Sequence, residues 1–193
     1  VLLGLLLGAM NLGFYTAIGR LPLGVVVTIE FLGPLALSAG ASRRPADLVA
    51  VLLALAGVVA VSGIVGADLA RLDVIGIALS LGAGAAWAGY ILAMRWVGRR
   101  WAGLDGLPVA MLLAAVVIGG LALGSGATAS IEPHHLVAGI GVGILSSVIP
   151  YSFEFVALRR IDPLVFGVLL SLEPAAAAVT AFLLLGQALL PLE

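Results

Sequence analysis

Residues 22–42 read PLGVVVTIEFLGPLALSAGAS, an apolar run that holds one carboxylate, Glu30, and one proline, Pro34. Both residues are expensive in such a setting. An acidic side chain at mid-bilayer costs on the order of 3 kcal/mol on insertion scales. A proline removes one helical hydrogen bond and crowds the carbonyl four residues back, which here belongs to Glu30 itself. The whole chain explains why the run must still be a helix in lipid. It is 63% hydrophobic and only 10% charged, against roughly 25% charged residues in a soluble domain. So little charge cannot cover a water-facing surface, and the lipid bilayer is the expected solvent. The 26 glycines fit closely packed membrane helices, which tolerate this residue. A net charge of −1 argues against a nucleic-acid partner, and the lack of cysteine excludes disulfides.

Seven segments approach the roughly 20 apolar residues that a spanning helix needs. They cover about 1–19, 22–42, 46–66, 73–97, 105–124, 135–157 and 163–186. The runs are continuous rather than alternating, which argues against barrel strands. Backbone groups in lipid must also bond internally, so the expected fold is all-α and integral to the membrane. The connections are short and polar, as in SRRPAD (42–47) and GADLARLD (66–73), and Asp47 is placed to start the third helix. Val1 opens an apolar stretch with no basic region before it, unlike a signal peptide. The chain stops at Pro191–Glu193 without a polar tail. The expectation is a piece of a larger protein.

Arginine placement gives an orientation. Arg43, Arg44, Arg95, Arg99, Arg100, Arg159 and Arg160 fall in alternate connections, on one expected face. The other face has Arg20 and Arg71, with Asp68, Asp73 and Glu132. The arginine-rich face is therefore expected to be cytoplasmic, in a multi-pass protein of the inner membrane. Trp96 and Trp101 flank the middle arginine group as interfacial anchors.

An internal repeat runs at a constant offset. AIGRLPLGVVVTIEFLGP (17–34) and ALRRIDPLVFGVLLSLEP (157–174) match at Ala17/Ala157, Arg20/Arg160, Val25/Val165, Leu32/Leu172 and Pro34/Pro174. On the arginine-based orientation Arg20 and Arg160 lie on opposite sides. Equivalent segments then run in opposite directions, as in inverted-repeat secondary transporters, which bind substrate near the midplane.

The candidate site residues are the polar groups inside the apolar runs. Glu30, Glu154 and Glu173 can exchange a proton with a water-filled cavity, or bind an ammonium when ionised. The alternative for each is an interhelical hydrogen bond or an end position. Pro34, Pro150 and Pro174 are expected helix breaks that free carbonyls, with a plain packing kink as the other reading. Ser147, Tyr151 and Glu154 share a face at i, i+4 and i+7, and Asn11 and Tyr15 are four apart. At the repeat offset Asn11 matches Tyr151, so both polar faces can line one cavity, or serve as hydrogen-bonded helix interfaces. Trp87 and Tyr90 read as core packing or an aromatic cavity wall.

Other motifs point to packing. Gly139, Gly141 and Gly143 lie in an apolar helix with no strand before them, so they are no dinucleotide loop. Gly4 and Gly8 form a GxxxG pair for helix contact, within the chain or across a homodimer. His134 and His135 are adjacent in a loop and point apart, which disfavours a metal. Ser125 between glycines has no base to activate it. No cofactor site, metal site or enzyme constellation is visible.

Four runs carry a family resemblance: NLGFYTAIGRLPLGVVVTIEFLGPLAL, SRRPADLVAVLLALAGVV, LGAGAAWAGYILAMRW and IPYSFEFVALRRIDPLVFGVLLSLEPAAAAVTAFLLLGQAL. They resemble the two repeats of an EamA-type drug/metabolite transporter. PLGVVVTIEFLGPLA, SSVIPYSFEFVALRRI and VFGVLLSLEPA are similar to the bacterial inner-membrane threonine/homoserine exporter group. The resemblance implies ten helices in two inverted five-helix repeats. Residues 1–66 would be the last three helices of the first repeat, 67–72 an extracytoplasmic linker, and 73–193 the second repeat without its last helix. It implies export of a small-molecule substrate such as an amino acid, and the buried carboxylates make proton exchange the expected energy source. A drug, sugar or other metabolite carrier is the alternative within the superfamily, and a non-transporting membrane subunit the alternative outside it.

Overall fold

A computed structural model describes residues 1–62, 73–100, 106–126 and 132–185. The expected linker 67–72, with Arg71, and Trp101 lie outside the described residues. In order along the chain come α1 (Leu2–Ile18), α2 (Leu23–Ala41), α3 (Pro45–Ser62), α4 (Val74–Arg100) and α5 (Gly106–Gly124). α6 (Pro133–Gly143) passes through a π-helical turn, Ile144–Val148, into α7 (Ile149–Leu158). α8 (Pro163–Leu170) and α9 (Glu173–Leu185) follow. No strand occurs among the described residues. Four stretches are long and apolar enough to cross a membrane: Leu23–Ala41, Val74–Arg100, Gly106–Gly124 and His134–Leu158. The stretches Leu2–Ile18, Pro45–Ala60 and Pro163–Ala176 are shorter apolar helices. These seven follow the seven segments read from hydropathy.

Helix starts use local chemistry. Asp47 Oδ2 accepts the backbone N–H of Arg43 and of Arg44, both at 3.1 Å, closing the turn into α3. Asp73 Oδ1 accepts from the N–H of Ile75 at 2.7 Å and of Gly76 at 3.3 Å, satisfying donors that a helix start leaves open. Its other oxygen binds Arg20 Nη1 at 2.9 Å. His134 and His135 sit in the first turn of α6 rather than in a loop. The Glu132 N–H donates to His135 Nδ1 at 3.0 Å, so that nitrogen serves the helix start.

The three prolines behave differently. Pro34 lies inside α2, which runs through it as one helix. Close packing around the proline, described below, holds the turn. Pro150 follows the π turn, where the Ile149 N–H reaches back five residues to the Ile144 carbonyl. The helix widens there because Pro150 has no N–H to offer the preceding turn. Pro174 sits in the first turn of α9, after a tight turn in which the N–H groups of Ser171 and Leu172 reach back three residues.

The chain packs as two compact units. One joins Val1–Gly8 to Tyr90–Ile161, the other Ala9–Gly89 to Asp162–Glu193. In the first, Gly4 and Gly8 pack on α5. A Cβ at Gly4 would lie 2.6 Å from the Ala110 carbonyl, and one at Gly8 would lie 3.8 Å from Ala114 Cα. The GxxxG face is thus used inside the chain, against an alanine pair of the same spacing. In the second unit, Ala17, Leu21, Val25 and Val26 form one apolar cluster. Leu35, Val51 and Ala54 form another. The tightest contact in this unit joins α2 to α4. A Cβ at Gly33 would overlap the Gly84 carbonyl and lie 2.9 Å from Gly84 Cα. A Cβ at Gly84 would lie 2.6 Å from the Glu30 carbonyl oxygen.

Hydroxyl groups are mostly settled on their own helices. Thr28 bonds the Gly24 carbonyl at 2.8 Å and Ser80 the Gly76 carbonyl at 2.9 Å, each one turn back. The Ser38 hydroxyl instead crosses from α2 to the Leu164 carbonyl of α8, at 3.1 Å.

Gly33→Ala is expected to lower stability by roughly 1–3 kcal/mol, the usual range for overpacking. Gly40 has nothing within 4 Å of a built Cβ, so Gly40→Ala should be neutral or stabilising by up to about 1 kcal/mol. Thermal unfolding of both variants in detergent checks the contrast; equal melting temperatures would refute the close crossing. Asp73 supplies a pH test. The Arg20 hydrogen bond, followed by the Ile75 N–H, holds its carboxyl below the usual aspartate value. A lowered carboxyl contributes stability above its unfolded-state pKa and loses it as pH falls through the folded one. Asp73→Asn should therefore lower the melting temperature slightly at neutral pH, because the pair is solvent-screened. The gap to the parent should close on acidification below the ordinary aspartate range.

Candidate functional site

The polar groups gather in two places, one in each unit. In the unit of Ala9–Gly89 and Asp162–Glu193, Glu30, Pro34 and Ser38 fall at i, i+4 and i+8 on α2, and all three are buried. This spacing puts them on one stripe of the helix. Small residues let the neighbouring helices approach it. Gly84 of α4 lies against the Glu30 backbone, and Gly167 of α8 lies against the Pro34 carbonyl and the Ser38 hydroxyl. Beside the stripe the Phe31 and Trp87 rings meet edge to face, with centroids 4.9 Å apart. Trp87 is thereby part of a packed aromatic pair next to Glu30.

Glu30 itself is 8% exposed. Among the described residues no donor or cation pairs with its carboxyl. Glu173, at the start of α9, is close enough to act on it electrostatically. Two nearby carboxyl groups repel when both are ionised, and a cation or a proton between them relieves the repulsion. Sequence spacing does not pair these residues, because Glu173 aligns with Gly33 in the repeat. Packing of the two helices into one unit does.

In the unit of Val1–Gly8 and Tyr90–Ile161 the arrangement is different. The Tyr90 hydroxyl donates to Glu154 Oε2 at 3.1 Å. The Tyr151 ring lies 5.7 Å from the Tyr90 ring, centroid to centroid. Tyr90 is fully buried, with Ile91, Met94, Phe155 and Leu158 also in the core. Its phenol is thus one partner of Glu154. The sequence carries a signal for this, since a buried tyrosine hydroxyl normally finds a partner. It does not say which of three glutamates that partner is.

Ser147 of the expected Ser147–Tyr151–Glu154 face precedes α7. It lies within the π turn, where the i, i+4 rule behind that expectation does not hold. Asn11 is half-buried on α1. Tyr15 is 62% exposed, and its ring meets Phe14 edge to face. Ser38 was not among the residues singled out from sequence. Its signal was the four-residue spacing from Pro34.

The EamA-like transporter family matches residues 74–193. The chain is 42% identical to the threonine/homoserine exporter RhtA of Escherichia coli K12, over 98% of this chain and 64% of that protein. It is 41% identical to RhtA of Salmonella typhimurium LT2, over 96% of this chain and 62% of that protein. The chain therefore spans less than two thirds of the length of these relatives. No solved structure gives a significant match.

Tyr90→Phe removes the hydroxyl that holds Glu154 while keeping the ring. Interhelical hydrogen bonds in membranes average about 0.6 kcal/mol and reach about 1.7. A loss of about 1 kcal/mol in detergent unfolding is expected, with helix content by circular dichroism unchanged. Tyr90→Phe and Glu154→Gln should be non-additive in a double-mutant cycle, and strict additivity would show that the pair does not interact.

Proposed function

We propose, on the premise that this chain belongs to the EamA-like transporter family, that it is the helical part of an exporter of small amino acids. In this reading the whole protein carries substrates such as threonine or homoserine out across the inner membrane in exchange for protons. The names of the relatives support the substrate class. The observation that carries the mechanism is Glu30, a buried carboxyl with Glu173 in electrostatic range and no paired donor among the described residues.

The chemistry follows from that setting. When Glu30 is ionised, the ammonium of an amino-acid substrate can bind the carboxylate and offset the repulsion from Glu173. A proton arriving from the other side takes the same oxygen and expels the ammonium. Substrate and proton thus compete for one site, which is the minimum requirement for exchange. Glu154, held by Tyr90 with Tyr151 beside it, offers a second carboxyl whose hydrogen bond must change if it binds a cation. Asn11, in the same unit as Glu30, would help orient the substrate. The break at Ser171–Leu172, next to Glu173, and the π turn before Pro150 are places where the helices can adjust.

The same reading places the inverted repeats in residues 1–66 and 73–193 of a ten-helix whole. It puts Arg43, Arg44, Arg95, Arg99, Arg100, Arg159 and Arg160 on the cytoplasmic side. Gly4 and Gly8 are occupied by α5, so a homodimer would have to use another surface.

In the full-length protein, Glu30→Gln is expected to cut threonine or homoserine flux at least about tenfold, the effect of losing roughly 1.4 kcal/mol. It should also flatten the dependence on an imposed pH gradient. Radiolabelled uptake into inverted vesicles measures both. If flux and its pH dependence survive in Glu30→Gln and Glu173→Gln, the exchange mechanism is wrong. If wild-type vesicles move sugars or drugs but no amino acid, the substrate class is wrong.

A further inference from the structure

The end of α4 carries a feature that transport does not use. Leu92, Arg95, Trp96, Arg99 and Arg100 line a groove of about 470 Å³. The guanidinium of Arg100 lies over the Trp96 ring, 3.9 Å from its centroid. Arg95 Nη1 reaches the Ile161 carbonyl at 3.4 Å. Gly98 lets a fourth arginine approach, since a Cβ there would lie 2.8 Å from Arg159 Cγ. Arg159 also faces the Phe155 ring, 6.0 Å from its centroid.

We infer that this groove binds the phosphate of an anionic phospholipid headgroup at the membrane surface. Three physical arguments support the assignment. The first is depth. α4 has 27 residues, about 40 Å at 1.5 Å per residue, while the hydrocarbon layer is about 30 Å thick. One end of α4 is fixed at the polar Arg20–Asp73 pair, so the arginine end extends past the hydrocarbon to headgroup level.

The second is charge. Arg95 and Arg99 are one turn apart, and like charges at that spacing repel. No carboxylate among the described residues forms a salt bridge with Arg99 or Arg100. The helix C-terminus contributes a compensating charge of about −0.5, which leaves the guanidinium groups of Arg99 and Arg100 only partly neutralised. A basic bias at a helix end explains why arginines are present, but it does not explain their grouping around one groove.

The third is shape. Guanidinium groups bind phosphate oxygens in pairs. Trp96 is 57% exposed, as expected of an interfacial aromatic. Leu92 supplies an apolar wall one turn deeper, where glycerol and acyl carbons would lie.

The test uses the full-length protein in neutral detergent, with melting temperature as the readout. Phosphatidylglycerol or cardiolipin should raise it by a few °C through binding to the folded state. Phosphatidylcholine should not. Arg99→Gln with Arg100→Gln should remove most of the rise, while Arg43→Gln with Arg44→Gln should keep it. Should the first double variant fail to fold, Arg99→Lys with Arg100→Lys keeps the charge but loses paired bonding, and its rise should be clearly smaller than the parent's. The proposal is overturned by an equal rise with phosphatidylcholine, by an unchanged rise in the Gln or Lys double variant, or by inorganic phosphate alone reproducing the effect.

Discussion

Backbone groups in lipid have no water to turn to, and Pro34 leaves one carbonyl, that of Glu30, without its usual donor. The rest of the second unit is arranged around that carbonyl. Gly84 of α4 presents bare backbone to it, close enough that any side chain would collide. The helices thus approach more closely than side chains normally permit. Three residues after Glu30, Gly33 allows α2 to meet Gly84 from the other direction. One turn further, Gly167 brings α8 against the Pro34 carbonyl and Ser38. α2 continues through Pro34, with Gly167 of α8 against the Pro34 carbonyl.

That packing determines what the polar groups can do. Most hydroxyls bond a carbonyl one turn back and are silent. Glu154 has a phenol to hold it. Glu30 lies on the most tightly packed stripe of α2 but has no donor among the described residues. The helices depart from regular α geometry elsewhere along the chain, at the π turn and at Ser171–Leu172. The chain belongs to the EamA-like transporter family and has an all-α, multi-pass membrane fold.

The two compact units do not follow the sequence duplication. Each draws on segments from both sides of residues 67–72, and α1 and α4 each contribute to both units. The duplication is a statement about sequence, since compactness depends on which small residues face each other.

Hydropathy alone determined that this chain is a set of apolar helices in a membrane, because burial of backbone in lipid leaves no other solution for such continuous runs. The spacing of Glu30, Pro34 and Ser38 was also legible, since a helix of fixed period puts i, i+4 and i+8 on one stripe. Two things were not. The pairing of Tyr90 with Glu154 and the approach of Glu173 to Glu30 are contacts between residues 64 and 143 positions apart in sequence, and no local period encodes them. The fate of each proline was equally a tertiary matter. Pro34, Pro150 and Pro174 remove the same hydrogen bond, yet one sits in continuous helix, one follows a π turn and one begins a new helix. The outcome depends on what packs against the freed carbonyl, and for Pro34 that is a glycine of another helix.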